Sequence, residues 1–344
     1  MRIFSTPVLA SSLLLLAACG ENGPLVPAES TAANEGAASD GRSYVTGYFA
    51  MTLDGSDCGL IQKVEGGDIE GEVVHEAPSA AYLTKKHIGN VKYNEITVQI
   101  PIKSSACTSW VSDLLGGKPT RKSGRIVSYD AALSQKSVRE FANALITEVG
   151  FPALDGASKD AAYLTLKFAP EVVRFKKGDG SKLVSSKEDR SFVASSFAIQ
   201  IPGLDTKAVS KIDAITVKQT VAKSEVGEAR DYLKEPGKLE FPNLKVTFTE
   251  SAAESWAAWH QSFVIDGKND DSQEKTGSIV FLDPTRSKTL LTLDFVGLGI
   301  FKVAAAPRVN NEDKIATVTA EMYVENVKAR FASGGTTGTV DAGK

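Results

Sequence analysis

Few residues in this chain have the spacing that catalysis or metal binding needs. The 344 residues include three histidines, His75, His87 and His260. His75 and His87 lie among turn and polar residues. His260 follows Trp259 on a helical stripe, where solvation or one hydrogen bond accounts for an imidazole without a metal. There is no His-x-x-His, Cys-x-x-Cys or Gly-x-Ser-x-Gly motif, so zinc and serine-hydrolase chemistry have no local support. Asn269-Asp270-Asp271-Ser272 offers hard oxygen ligands of the kind calcium takes. It lacks the glycine and the terminal bidentate glutamate of a full loop and reads as a polar hairpin. Gly178-Asp179-Gly180 has no strand before it and no helix after it, so it is a linker turn. The paired acids Glu65 and Asp68 fall in a glycine-rich loop that holds neither in place. The expectation is no catalytic residue, no metal and no cofactor.

The thiols carry more. Met1-Arg2 is a positive start, and the apolar stretch from Val8 to Leu16 is too short for a stable membrane span. It runs into Leu16-Ala17-Ala18-Cys19-Gly20, which resembles the lipobox of bacterial lipoproteins. That resemblance implies that residues 1–19 are a signal peptide ending at the lipidated Cys19, with an ordinary secretory signal as the other reading. Gly20 follows where an inner-membrane retention signal would have aspartate, which points to the outer membrane. Residues 20–41, rich in Ala, Ser, Glu, Pro and Gly, read as a disordered tether spanning roughly 25 Å. The tail 332–344 reads as disordered for the same reason. An exported compartment permits a bridge between Cys58 and Cys107, and two buried free thiols are the alternative.

With 39 basic and 42 acidic residues the net charge is −3, and no basic block is long enough for nucleic acid. Lys85-Lys86, Arg121-Lys122 and Lys176-Lys177 read as solvated loop pairs.

The elements that would position any site occur twice, at an offset of roughly 150 residues. Gly124-Arg125-Ile126-Val127-Ser128-Tyr129-Asp130 returns as Gly277-Ser278-Ile279-Val280-Phe281-Leu282-Asp283. Period-two alternation at Phe49 to Leu53 and at Phe197 to Ile201 predicts opening strands, with turns at Asp54-Gly55 and Pro202-Gly203. A second strand is expected at Ile69 to Val74 and at Ile212 to Val221, and a third at Ile96 to Ile102 and Leu244 to Phe248. A tryptophan-bearing helix follows each. Ser104 or Ser105 caps the first, and Ser251-Ala252-Ala253-Glu254 has the capping-box pattern for the second. Trp110, Trp256 and Trp259 read as core plugs. Later strands are expected at Ile126 to Tyr129, Val138 to Phe141 and Tyr163 to Phe168. Their matches are Ile279 to Leu282, Leu290 to Phe295 and Ile315 to Val324. The fold class is mainly β (α+β): two tandem small barrels or sandwiches, 42–178 and 190–331, each with one helix on its sheet.

This order of elements resembles the tail tube protein family of contractile-tailed phages, whose fold is shared by the type VI secretion tube protein. The elements that carry the resemblance are the opening strand, the Val64-Glu65-Gly66-Gly67 segment, the tryptophan helix with its Gly-Lys ending, and the Gly-x-Ile-Val strand. The strand near Phe141 and the final strand into Glu171, or Glu325 in the second copy, complete it. The resemblance implies a non-enzymatic structural protein whose copies pair through strand edges into rings. Three chains would give a six-domain ring. A lipid anchor departs from a free tube protein and implies a membrane partner through the lipid. The alternative is a monomeric envelope lipoprotein that binds a ligand or an envelope protein with its paired β-domains.

Overall fold

A computed structural model describes residues 46–76, 84–184, 192–224, 233–309 and 314–332. Residues 1–41 with Cys19, and all but the first residue of the 332–344 tail, lie outside the described residues. The described residues fall in one compact unit.

The first half contains β1 (Thr46–Leu53), β2 (Ser56–Ile61), β3 (Lys63–Gly66), β4 (Ile69–His75), β5 (Lys86–Tyr93) and β6 (Ile96–Ile100). Helix α1 (Ala106–Leu115) follows, then β7 (Lys122–Asp130) and the long β8 (Gln135–Phe151). Two short pieces, β9 (Leu154–Asp155) and β10 (Ala161–Ala162), precede β11 (Leu164–Ala169) and β12 (Val172–Lys177). The second half contains β13 (Phe192–Val193), β14 (Phe197–Gln200), β15 (Val209–Ile212), β16 (Ile215–Ser224), β17 (Leu233–Glu240) and β18 (Leu244–Thr249). Helix α2 (Ala253–His260), β19 (Lys275–Leu282), β20 (Thr289–Ala305) and β21 (Thr317–Phe331) complete it. The chain is mainly β, as its alternation predicts.

One sheet runs β2-β1-β7-β8-β11-β6-β3, and another runs β14-β19-β20-β21-β18-β15-β9. The order β1-β7-β8-β11-β6-β3 therefore recurs as β14-β19-β20-β21-β18-β15. Ladders throughout are antiparallel, with alternate residues buried: β6 follows the pattern in–out–in–out–in, and β18 does the same along Leu244, Val246 and Phe248. The halves share one apolar core. Phe151 of the first half lies 6.5 Å from Phe281 of the second, which also packs on Phe192 at 5.2 Å.

Turn chemistry fixes the first hairpin. Asp54 and Gly55 both have positive φ, 46° and 80°, which is the twist a two-residue antiparallel turn requires. Gly124 admits no side chain, because a Cβ there would sit 2.1 Å from the Thr52 carbonyl oxygen.

Three expectations are corrected. The short strands expected at Val138 to Phe141 and Leu290 to Phe295 belong to 17-residue strands, β8 and β20. Each passes through one left-handed residue, Asn143 at φ 51° or Gly297 at φ 67°. There the strand bends and changes partners instead of ending. Ile212 to Val221 is two strands: β15 stops at Ile212 and β16 starts at Ile215. The third concerns caps. Ser105 does cap α1, in a reciprocal box with Thr108. Ser251 does not cap α2; a 3-10 turn over Glu250–Ala252 precedes that helix, its N-cap is Ala252, and the Ser251 hydroxyl meets Thr249 at 2.9 Å.

Candidate functional site

The feature that stands out is a strand addition inside the chain. Hairpin β16–β17 of the second half leaves its own sheet and pairs with β8 of the first. Ile215, Thr216, Val217 and Lys218 lie opposite Phe151, Gly150, Val149 and Glu148. Val149 and Val217 are fully buried. On the other face, directly opposed residues run across five strands in the order Thr97, Lys167, Glu148, Lys218, Glu240. Opposite charges facing each other across antiparallel strands each contribute roughly 0.2–1 kcal/mol.

A buried ion cluster locks the same joint. Lys234 on β17 is 5 % exposed and Glu171 is 6 % exposed. The backbone N–H of Lys234 donates to Glu171 Oε1 at 3.0 Å, and its ammonium donates to the Pro170 carbonyl. Arg121 donates to the Lys234 carbonyl at 2.6 Å and lies 3.4 Å from Glu235 and 3.8 Å from Glu171. Burial pushes the Lys234 ammonium down to about 8; Lys223 adds to this, and Glu95 and Glu171 oppose it. Helix α1 crosses the joint as well, its Ser112 hydroxyl donating to the Ala329 carbonyl of β21 at 3.2 Å.

Each part of this joint has a counterpart that faces solvent. Matching bulges give the correspondence. Along β8 the β11 pairing skips from Ile146 to Glu148; along β20 the β21 pairing skips from Ile300 to Lys302. In the hairpins, the skip between Gly71 and Val73 of β4 matches that between Gln219 and Val221 of β16. Lys302 therefore stands where Glu148 stands, Glu70 where Lys218 stands, and Ile69 where Val217 stands. By the same registers Lys86 matches Lys234, His87 matches Glu235, Glu325 matches Glu171 and Glu274 matches Arg121. Pairing of β19 with β20 ends at Leu298, and among the described residues no strand pairs with that edge from Gly299 to Ala305. Among the described residues hairpin β4–β5 forms ladders only within itself. Ile69 is 45 % exposed where Val217 is at 0 %, and Glu325 is exposed where Glu171 is buried. Val73, Ile88 and Phe301 add exposed apolar surface on these counterpart elements.

The residues singled out for chemistry are scattered. Cys58 and Cys107 form a disulfide with Cα atoms 5.3 Å apart, tying β2 to α1. His87 lies 3.6 Å from Glu76, both half exposed; His75 sits opposite Lys86; His260 ends α2. Asp270 is occupied by its own turn, accepting from the backbone of Ser272 at 3.0 Å. Trp110 and Trp256 are buried, with their indole N–H groups donating to the Thr120 and Asp205 carbonyls. Among the described residues no group of three His, Cys, Asp or Glu side chains is placed to hold a metal, and no helix is long and apolar enough to cross a membrane. An open pocket of about 590 Å³ over β7, β8 and β12 presents Asp54, Arg125, Glu140 and Arg174, without histidine or cysteine.

Of the basic pairs, Lys85 and Lys86 are exposed, Lys85 in a loop as expected. Lys122 and Lys176 lie instead on strands: Lys122 on β7 pairs with Asp54 at 2.9 Å, and Lys176 on β12 pairs with Glu140 at 2.7 Å, while the exposed Arg121 contacts Glu171 and Glu235 at the joint. The joint residues Lys234 and Glu171 give no local signal. Only the paired registers of the two halves bring them out.

No curated protein matches the chain. Among solved structures, a chain of the anti-feeding prophage tube-terminating cap is similar at 11% identity and TM-score 0.36, over 45% of this chain and 98% of that one. A chain of the baseplate of the same particle is similar at 11% identity and TM-score 0.33, over 43% and 98%. A chain from the sheath/tube terminator of an extracellular contractile injection system, PVC, is similar at 16% identity and TM-score 0.34, over 39% and 97%. Residues 45–174 match the family model of the T4-like virus tail tube protein gp19. The first half of the chain is tail-tube-like.

Proposed function

We propose that this chain is a non-enzymatic structural protein made of two tube-like units in tandem, which assembles head to tail by strand addition into a closed ring of three chains. The observation that carries this reading is the β16–β8 ladder. It already joins the two units inside one chain, while the matching hairpin and the matching edge face solvent at opposite ends of the pattern. A contact of this heterologous kind forms a ring where its rotation closes and an open filament where it does not. Lipid on Cys19 would hold the assembly at the outer membrane of the cell envelope, with residues 20–41 as tether.

The same open hairpin also suits strand addition by a different envelope protein, with this chain a monomer. Light scattering and negative-stain imaging of residues 42–344 separate the two. Mass rising in steps to three chains with six-lobed rings supports assembly; one chain at every concentration sinks it. Incorporation of labelled fatty acid into the full chain, lost in Cys19→Ala, tests the anchor.

A further inference from the structure

The joint inside the chain and the joint that would form between chains differ in one systematic way: their charges are reversed. Inside, the edge supplies Glu148 and the hairpin Lys218. At the open surfaces, the edge supplies Lys302 and the hairpin Glu70. Inside, Arg121 of the edge side faces Glu235 of the hairpin at 3.4 Å. At the open surfaces, Glu274 takes the place of Arg121 and His87 the place of Glu235. The reversal extends to the flanking strands. Lys167 and Glu240 border the internal pair, whereas Glu321 and Lys92 border the positions of the open one. Lys302 already meets Glu321 at 2.7 Å, and Glu70 meets Lys92 at 3.1 Å. Setting Glu70 opposite Lys302 gives the unbroken order Lys245, Glu321, Lys302, Glu70, Lys92. That continues the alternation seen across the internal joint.

Resting on the assembly reading above, we propose that this reversal is a pairing code: it directs hairpin β4–β5 onto the β20 edge of a second copy of this chain and refuses it at a β8-type edge. The register follows from the internal ladder. Glu70 falls opposite Lys302, Ile69 opposite Val303 and Asp68 opposite Ala304. Ile69 then takes the buried place that Val217 has, and the backbone N–H of Lys86 meets Glu325 as that of Lys234 meets Glu171.

At the positions that reverse, the wrong pairings are like-charged. Hairpin β4–β5 on the β8 edge would set Glu70 against Glu148. Hairpin β16–β17 on the β20 edge would set Lys218 against Lys302 and Glu235 against Glu274. Like charges directly opposed across strands oppose pairing as strongly as unlike ones favour it. Specificity of this kind comes from penalising the wrong partner as well as favouring the right one. Lys86 and Glu325 keep the signs of Lys234 and Glu171, so they serve attachment without selecting an edge.

The test is a charge-swap cycle on the chain from Arg42, read by sedimentation velocity over a concentration series, with circular dichroism to show that each variant is folded. Lys302→Glu is expected to weaken self-association roughly tenfold or more. Glu70→Lys is expected to do the same, and the double variant to regain most of the loss. Wild type that self-associates with no response to either single change leaves the assembly reading standing and overturns the code. Wild type that stays one chain at every concentration overturns both. Two weakened single variants without recovery in the double variant also overturn the code, since loss without rescue marks ordinary surface damage.

Discussion

Hairpins β4–β5 and β16–β17 occupy the same place in the two halves, carry the same bulge, and end in different surroundings. β16 buries Ile215, Val217 and Gln219 against the neighbouring half, whereas every described residue of β4 is exposed. The difference does not lie in an absence of strand formers, since both strands carry β-branched residues: Ile69, Val73 and Val74 on β4, and Ile215, Val217 and Val221 among those on β16. It arises because one hairpin has an acceptor edge within its own chain and the other has none. A strand's burial pattern here reports the availability of a partner as much as the sequence of the strand.

The sharpest way to break the comparison is to put a charge at the matched positions. Val217→Asp is expected to cost about 3–5 kcal/mol, because it buries an unpaired carboxylate in the joint. Ile69→Asp should stay within about 0.5 kcal/mol in the isolated chain. Chemical denaturation of both variants gives the two values, and equal losses would mean that β4 is covered after all. The disulfide is the next difference, as only the first half has one. Cys58→Ser with Cys107→Ser, or reduction, should remove roughly 2–4 kcal/mol. Hydrogen exchange should rise first in β2 and α1 while β18 and α2 stay protected.

A smaller contrast is set by pH. Lys234 gives up its proton near pH 8 in the folded chain and near 10.5 when unfolded. Between those values the unfolded state binds more protons, so stability rises with pH, by about 1–2 kcal/mol from pH 8 to 9.5. Thermal melts of the wild type should show this gain and those of Lys234→Met should lack it. The smallest effect separates the helix starts. Ser105→Ala should cost about 1 kcal/mol through loss of the capping box, and Ser251→Ala only a few tenths.

Much of the fold was legible from local signals. Alternation located many of the strands and Asp54-Gly55 the first turn, while the close approach of Gly124 to the Thr52 backbone came only with the structure. The long strands were not legible. The expected strands stopped at Phe141 and Phe295, yet in the fold Asn143 and Gly297 each supply a single left-handed bend within a continuing strand. The Ser251 pattern misled because the 3-10 turn carries Ser251 away from the N-cap position. The joint was the least legible part. Periodicity shows which face of β16 is apolar but not whose edge it will join. Arg121 looked like half of a solvated pair until Glu171 and Glu235 were found beside it.

The internal strand addition also fixes valence. One hairpin and one edge of each chain are spent on each other, which in the proposed assembly leaves hairpin β4–β5 as donor and the β20 edge as acceptor, as in a bifunctional monomer. In the proposed assembly every closed object therefore contains an even number of units, whatever its size. A chain with proline at Ile69 would keep its acceptor and lose its donor, so it would act as a chain stopper at substoichiometric dose. Growth would then end at a length set by the mixing ratio, as in step polymerisation.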